Sequence, residues 1–119
     1  MKKQKSMPKL NADLRELVRT NAECYGDKVL YIYKEDGEEK TVTYNENWNR
    51  MNALGTAFSR IGLMGETVAV IGEAHPLYMT AYYATTCGGG VIVPMDHDLH
   101  DDQLADFMAL AEAKAIVYT

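Results

Sequence analysis

Three short apolar runs recur in the second half of the chain, each separated from the next by a segment long enough for a helix. They span residues 67–71, 91–94 and 115–118. The first run shows no polar alternation and is followed by Gly72, which is typical of a strand that is buried on both faces. Strands spaced by helices in this way are parallel neighbours joined by crossovers. The pattern therefore predicts an α/β fold with a parallel sheet of β-α-β-α-β units flanked by helices.

Proline and acidic residues mark where the intervening helices begin. Pro76 lies where a helix can start without losing a hydrogen bond, and we expect that helix to run to about Cys87. It is apolar nearly all round, so it should be buried on more than one side. The last helix is predicted over residues 99–113, with Asp101 and Asp102 at the positive end of its dipole. Its core-facing residues are expected to be Leu104, Phe107, Met108 and Ala111.

The first half of the chain carries signals for two more helices. One is predicted over residues 11–26, with Asn11 as its cap and Asp13 in its first turn. Thr43 and Glu46 have the spacing of a capping box and begin the other. Its apolar residues recur at helical spacing, which indicates one face packed against the core rather than a cofactor pocket. That face consists of Tyr44, Trp48, Met51, Leu54, Phe58 and Ile61.

An Asp-Gly pair indicates a β-hairpin between these two helices. Asp36 and Gly37 lie between predicted strands over residues 29–33 and 40–43. Asp-Gly supplies the positive φ angles that tight hairpin turns need. Because the hairpin stands apart from the parallel pattern, we expect it on an edge or in a separate small sheet.

Length, composition and charge narrow the class of protein. The chain has 119 residues, with 47% hydrophobic and 24% charged residues, as in an ordinary soluble domain. The formal net charge of −5 gives no reason to expect nucleic acid or an anionic membrane as a partner. No apolar run is long enough to cross a bilayer. Residues 1–9 are basic without an apolar segment, so we interpret them as a disordered stub rather than an export signal.

The two cysteines, Cys24 and Cys87, lack the spacing of a metal or redox motif. Without an export signal, a cytoplasmic location follows by default, and there both thiols would be reduced. We therefore expect the two cysteines to be small buried apolar residues.

Gly88, Gly89 and Gly90 resemble a phosphate-binding loop in composition alone. A phosphate loop leads from a strand into a helix and supplies a lysine, whereas these glycines lead from a helix into a strand. The strand-to-helix turn at residues 72–76 has one glycine, so a dinucleotide fingerprint is absent as well. We expect the three glycines to allow close backbone packing at a helix–strand corner.

Histidines and carboxylates are dense in one predicted loop that leads into the last helix. Such a cluster could bind Zn²⁺ or another transition ion, but acidic residues are expected at a helix start in any case. Ligands from a further element, which closed metal sites use, are not apparent, so we predict no functional metal site. The cluster consists of Asp96, His97, Asp98, His100, Asp101 and Asp102.

No residue pattern in the chain amounts to a catalytic site. His75 is interpreted as a helix-start residue, because Glu73 is the one acidic group beside it. A nucleophile elbow, a Ser/His/Asp order and the HExxH motif are all missing. The sequence therefore predicts neither catalytic, nor cofactor-binding, nor metal-binding residues.

Several segments, in order, are similar to the opening of the adenylate-forming (AMP-binding) enzymes. They are TVTYNE at residues 41–46, VAVIGE at residues 68–73 followed by Pro76, and CGGGVIVPMD at residues 87–96. YGDK at the end of the first helix and EAKAIV before the last strand fit as well. The likeness extends from residue 10 to residue 118 and is strongest to the acyl-CoA synthetases, the long-chain fatty-acid–CoA ligases.

The resemblance implies a function for a larger parent protein. Members of this family run to several hundred residues, activate a carboxylate with ATP and Mg²⁺, and pass the acyl group to CoA. Their phosphate loop, ribose-binding aspartate and C-terminal lysine belong to later motifs that this sequence lacks. Residues 10–119 are thus expected to be the N-terminal portion of an AMP-binding-type α/β domain, inactive alone. Its partner would be the remainder of the parent ligase.

Two other functions stay open at this level. The chain could be a stand-alone binding module that uses a tyrosine-rich surface at Tyr78, Tyr82 and Tyr83, or a small metal protein that uses the acidic and histidine cluster. As a fragment, it would expose a sheet edge and an apolar helix, so we also predict self-association.

Overall fold

The computed structural model describes residues 13–118 and contains four helices and five strands. The proposed cap Asn11 and the predicted stub at residues 1–9 lie outside the described residues. In chain order the elements are α1 (Leu14–Tyr25), β1 (Val29–Glu35), β2 (Glu38–Thr43), α2 (Tyr44–Arg60), β3 (Thr67–Ile71), α3 (Pro76–Cys87), β4 (Val91–Met95), α4 (Asp101–Ala111) and β5 (Ala115–Tyr118).

Three strands form a parallel sheet in the order β4-β3-β5. Val68 of the central strand pairs with Ile92 on one side and with Ala115 on the other. Successive side chains of a strand point to opposite faces, and Val68, Ala69 and Val70 are all 0% exposed. The central strand is therefore covered on both faces, and the predicted α/β fold with a parallel sheet is confirmed.

The hairpin forms its own two-stranded antiparallel sheet. Of the two predicted arrangements, the separate small sheet is therefore confirmed. Asp36 and Gly37 have φ angles of 53° and 78°, so the turn is the two-residue type that Asp-Gly favours. This tight turn lets Glu35 pair directly with Glu38, and both strands extend further toward the turn than the sequence predicted.

Asp13 is the cap of α1 rather than a residue of its first turn. Its carboxylate accepts a hydrogen bond from the backbone N–H of Glu16 at 2.7 Å. The prediction that Asp13 lies in the first turn was wrong. An aspartate directly before a helix can accept hydrogen bonds from the free N–H groups and also interact favourably with the helix dipole, so both positions suit it. The helix ends where predicted, since the N–H of Gly26 donates to the carbonyl of Ala22.

The capping box of α2 is confirmed. The Glu46 N–H donates to Thr43 Oγ1 at 3.1 Å, and the Thr43 N–H donates to Glu46 Oε1 at 3.3 Å. These paired bonds fix the path of the chain from the hairpin into α2.

The apolar face of α2 forms the main core, with one exception. Met51 and Phe58 are buried together with Val18 and Ala84. Ile61 is 70% exposed, so its assignment to this face was wrong. The helix ends at Arg60, and the backbone turns away before Ile61 can continue the helical period. Further apolar side chains that pack against the buried cluster are Trp48, Leu54, Leu63, Tyr83, Cys87 and Val117.

Small residues form most of the buried surface of α3. Thr80, Ala81, Ala84 and Thr85 are buried, whereas Leu77 is 49% exposed. The helix packs against α1, α2, β3 and β4, so burial on more than one side is confirmed.

Gly90, the last of the three glycines, lies where the chain turns from α3 into β4. A Cβ atom on Gly90 would lie 2.5 Å from the carbonyl oxygen of Glu66 and 3.0 Å from that of Thr85. Gly89 has a φ of 82°, in the left-handed region that favours glycine. The predicted role in close backbone packing is confirmed for Gly90.

The last helix, α4, is shorter and more exposed than the sequence predicted. It spans Asp101–Ala111 and has no buried residue. Phe107 is 48% exposed and Leu110 is 82% exposed, so the inward position of Phe107 was wrong. Helical spacing identifies an apolar face, but the described residues provide little surface against which α4 can bury it. Among residues 13–118, every helix is too short or too polar to traverse a lipid bilayer.

Candidate functional site

A groove opens at the carboxyl end of β3, where ligands bind in many parallel α/β sheets. Its volume is about 500 Å³, and it lies between the hairpin and the start of α3. We call it the carboxyl-end groove. Its walls are mainly aromatic and apolar, and its lining residues are Tyr31, Ile32, Tyr33, Gly72, Glu73, Ala74, His75, Pro76, Tyr78 and Met79.

His75 links the two sides of this groove. Its Nδ1 accepts a hydrogen bond from the backbone N–H of Leu77 at 3.1 Å, so it caps α3 as predicted. Its Nε2 lies 3.5 Å from Glu35 Oε2, and its ring stands edge-on to Tyr33 with centroids 5.0 Å apart. An imidazole held on both nitrogens in this way positions the hairpin against α3.

The hairpin side of the groove was not predicted from the sequence. Tyr31 and Tyr33 are two residues apart, so the two-residue period of a strand places them on one face. That signal was present, but nothing in the sequence shows which element this face would meet.

The start of α3 does not fit a nucleotide phosphate. Pro76 at the first helical position has no N–H, and the N–H of Leu77 is already bonded to His75. The N–H of Tyr78 donates to the carbonyl of His75 at 3.0 Å. Glu73 adds a negative charge at the same turn. The free N–H groups and positive field that phosphate sites use are therefore missing here.

Tyr31, which lines this groove, and Tyr83 are both partly buried. Burial raises the pKa of Tyr31 to about 12, with further contributions from the charge of Tyr83 and from hydrogen bonding to it. Burial also raises the pKa of Tyr83. At neutral pH both phenols keep their protons, so neither acts as a base.

The predicted tyrosine-rich surface is divided between two environments. Tyr83 packs against the core, with the ring of Tyr82 edge-on to it at 5.9 Å. Tyr78 lines the carboxyl-end groove. None of these tyrosines is fully exposed, which leaves no single tyrosine patch for a partner.

The acidic and histidine cluster lies after β4 and is only partly brought together. Ligand atoms of Asp96, His97 and Asp98 lie within 4.8 Å of one another, and all three residues are exposed. His97 Nδ1 lies 3.8 Å from Asp96 Oδ1, and His97 Nε2 lies 3.4 Å from Asp98 Oδ1. Within the described part of the chain, no ligand from another element joins this group. Three consecutive exposed residues are a weak basis for a metal site.

The two cysteines differ in burial. Cys24 is exposed, so its predicted burial was wrong, whereas Cys87 is half-buried beside the core. Burial raises the pKa of the Cys87 thiol. A raised pKa leaves little thiolate at neutral pH, and the thiolate is the nucleophilic form. Cys87 is thus poorly suited to catalysis.

Several solved structures share this fold. The N-terminal subdomain of Klebsiella oxytoca NpsA in complex with 3-hydroxyanthranilyl-AMSN matches with a TM-score of 0.79 and 20% identity, over 89% of this chain and 26% of that one. IdnL1 matches with a TM-score of 0.83 and 19% identity, over 92% and 23%. The fatty acid AMP ligase of Legionella pneumophila matches with a TM-score of 0.80 and 16% identity, over 89% and 19%.

These likenesses are below 25% identity and show the fold. The chain spans only 19% to 26% of the length of these three structures. Comparison with curated protein sequences gave no match.

Family membership rests on the sequence itself. The sequence model described as AMP-binding enzyme matches residues 18–119. That match includes every element from β1 to β5 and most of α1. The chain belongs to the AMP-binding enzyme family.

Proposed function

We propose that this chain is the N-terminal part of an ATP-dependent acyl-CoA synthetase, which converts a carboxylate, ATP and CoA into acyl-CoA, AMP and pyrophosphate. The observation that carries the proposal is the family match across residues 18–119. The specific assignment to acyl-CoA synthetases rests on the amino-acid sequences of the three motifs at residues 41–46, 68–73 and 87–96.

In this proposal the chain provides scaffold and no reacting group. None of the described residues that line the carboxyl-end groove is a lysine or an arginine, which could neutralise a triphosphate, and the turn before α3 lacks free N–H groups. ATP, Mg²⁺ and CoA would be held by other parts of a longer protein. The role of residues 13–118 is then to form the parallel sheet on which those parts pack.

An exchange assay tests whether the reacting groups lie elsewhere. Acid-dependent exchange of pyrophosphate into ATP requires reversible formation of an acyl-adenylate. The 119-residue chain alone is expected to give exchange at background level with every acid tested. Exchange above background would contradict the absence of catalytic groups.

The reading frame provides the complementary test. Codons after Thr119 that continue into a Ser/Thr/Gly-rich loop with a lysine would support the proposal. A stop codon at that position would instead favour a stand-alone binding module, for which the carboxyl-end groove is the first place to look.

Activation of an aryl acid is the alternative substrate assignment, because the matched NpsA structure holds 3-hydroxyanthranilyl-AMSN. The longer gene product would be assayed with matched panels of fatty acids and hydroxybenzoic or anthranilic acids. Fatty-acid-dependent AMP release that requires CoA supports the proposal. Exchange confined to aryl acids, or AMP release that is independent of CoA, would refute the acyl-CoA assignment.

A further inference from the structure

The helix α4 is attached only loosely to the rest of the described fold. It has no buried residue, and its contacts with the other helices and strands of residues 13–118 are sparse. Phe107 and Leu110 are both exposed, and their spacing of three residues puts them on one face of the helix. This face is an apolar surface that no described element covers.

The helix also lies on the opposite face of the parallel sheet from the main core. In the strand order β4-β3-β5, the connection through α3 runs one way across the sheet and the connection through α4 runs the other way. Crossovers between parallel strands are right-handed, so the two helices lie on opposite faces. Both α1 and α2 pack with α3, which leaves α4 without a neighbouring helix in the described part of the chain.

The negative charge of the chain is concentrated in and around α4. Residues 96–112 contain six of the 17 acidic residues and none of the 12 lysines and arginines. The rest of the chain has 11 acidic and 12 basic side chains, which is a formal charge of +1. None of the six carboxylates pairs with a lysine or arginine of residues 13–118. The six are Asp96, Asp98, Asp101, Asp102, Asp106 and Glu112.

The acidic and apolar positions of α4 are adjacent to one another. Asp102, Asp106 and Leu110 follow at intervals of four residues, so they form one row along the helix, and Phe107 lies beside it. Two carboxylates at this spacing repel each other, and a cation between them would remove the repulsion. The surface therefore fits a partner that carries lysines next to apolar side chains.

Residues 1–12 have this chemistry, and we call them the N-terminal segment. They precede the described part of the chain and contain no acidic residue. Methionine side chains adapt to irregular apolar surfaces. The lysines of the segment are Lys2, Lys3, Lys5 and Lys9, and its larger apolar residues are Met1, Met7 and Leu10.

The N-terminal segment joins the fold at the edge of the sheet to which α4 returns. Burial raises the pKa of the Cys87 thiol, and the charge of Asp13 raises it further, so Asp13 lies near the end of α3. The chain enters β4 a few residues later, at the amino edge of the sheet. After α4, the N–H of Lys114 donates to the carbonyl of Thr67 at 2.8 Å, which is the start of β3 at the same edge.

The length of the N-terminal segment is sufficient for it to reach and follow α4. Twelve extended residues span about 40 Å. Passing from the helices on one face of a sheet to a helix on the other takes roughly 20 Å. The 11 residues of α4 are about 16 Å long. The segment can therefore pass around the amino edge of the sheet and lie along the whole helix.

We propose that the N-terminal segment binds along the exposed face of α4 in the same chain, with its lysines against the carboxylates and with Met7 and Leu10 on Phe107 and Leu110. This contact anchors α4 to the fold. It gives a binding role to residues that composition alone predicted to be a disordered stub. The inference does not depend on the proposed function, because neither surface belongs to the carboxyl-end groove.

Amide hydrogen exchange of residues 101–111 provides the readout, because a helix that is not anchored opens more often. In the full 119-residue chain, Lys3→Glu combined with Lys5→Glu is expected to speed this exchange about threefold or more, the size of two exposed charge contacts. Lys28→Glu combined with Lys34→Glu changes the net charge equally and is expected to leave it unchanged. Circular dichroism of both variants confirms that they are folded.

Leu110→Ala tests the apolar half of the contact. Alanine is the better helix former, so at a solvent-exposed position this substitution would slow exchange in α4 or leave it unchanged. If Leu110 contacts the N-terminal segment, the substitution instead speeds exchange. The increase is expected in the natural chain and absent when Lys3 and Lys5 are already reversed.

Several results would overturn the inference. Exchange in α4 that is equal in the natural chain and in the Lys3/Lys5 variant would show that the segment does not bind. Equal acceleration in both lysine variants would show a general effect of charge. Slower exchange in Leu110→Ala would place Leu110 in solvent. Protection of α4 that increases with protein concentration would assign the surface to a second copy of the chain.

Discussion

Replacing Thr85 by valine is expected to stabilise the protein, although it removes a polar group from a helix that already has few. Thr85 lies on the buried face of α3 and is 4% exposed. Its hydroxyl oxygen is buried without a hydrogen-bond partner among residues 13–118. Valine has nearly the same shape, so the substitution creates neither a cavity nor a clash.

The size of the effect follows from the cost of an unpaired hydroxyl. A buried polar group without a partner costs roughly 1–3 kcal/mol. The Thr85→Val substitution is therefore expected to raise the free energy of unfolding by about 1 kcal/mol or more. For a chain of this size that corresponds to a rise of about 4 °C in Tm.

Thr80→Val is the matched control. Thr80 lies five residues earlier on α3 and is 6% exposed, but its hydroxyl donates to the carbonyl of Pro76 at 3.1 Å. Loss of that bond is expected to lower the free energy of unfolding by about 1 kcal/mol. Urea unfolding followed by Trp48 fluorescence gives both values with the same probe. If Thr85→Val destabilises the chain as much as Thr80→Val, the Thr85 hydroxyl has a partner and the reasoning is refuted.

The remaining predictions concern two glycine substitutions and the titration of Tyr31. Gly90→Ala is expected to lower the free energy of unfolding by about 3 kcal/mol, because its Cβ would lie 2.5 Å from the Glu66 carbonyl oxygen. Gly55→Ala, where a Cβ would meet nothing within 4 Å inside α2, should instead raise it by about 1 kcal/mol, and a loss at both sites in thermal melts would contradict this. Burial, together with the charge of Tyr83 and hydrogen bonding to it, raises the pKa of Tyr31 from 10.0 to about 12. The protonated phenol of Tyr31 therefore contributes stability that is complete below pH 10 and is lost as the pH rises through about 12. Urea midpoints between those pH values should fall more steeply for the natural chain than for Tyr31→Phe, and parallel curves would show that the phenol titrates normally.

Local signals predicted the elements whose causes are local. The Thr43–Glu46 capping box, the Asp36-Gly37 turn and the three parallel strands appear where the sequence places them. A cap, a turn and a buried strand each depend on a few adjacent residues and on periodicity, so they can be identified without knowledge of neighbours.

Predictions of burial failed where they depended on a partner surface. Ile61 and Phe107 have helical spacing with core residues, yet both are exposed. Helical period identifies which residues share a face, but burial requires another element opposite that face. The backbone turns away at Ile61, and around α4 the described elements supply little surface.

The sequence by itself determined the α/β class, the parallel pairing and the AMP-binding family, because these follow from hydrophobic period, turn chemistry and motif order. Only the tertiary structure decided which side chains from distant elements meet. It brought His75 Nε2 within 3.5 Å of Glu35 Oε2. The physical reason is that such contacts depend on how helices and sheets pack in three dimensions, and packing is a property of the whole fold.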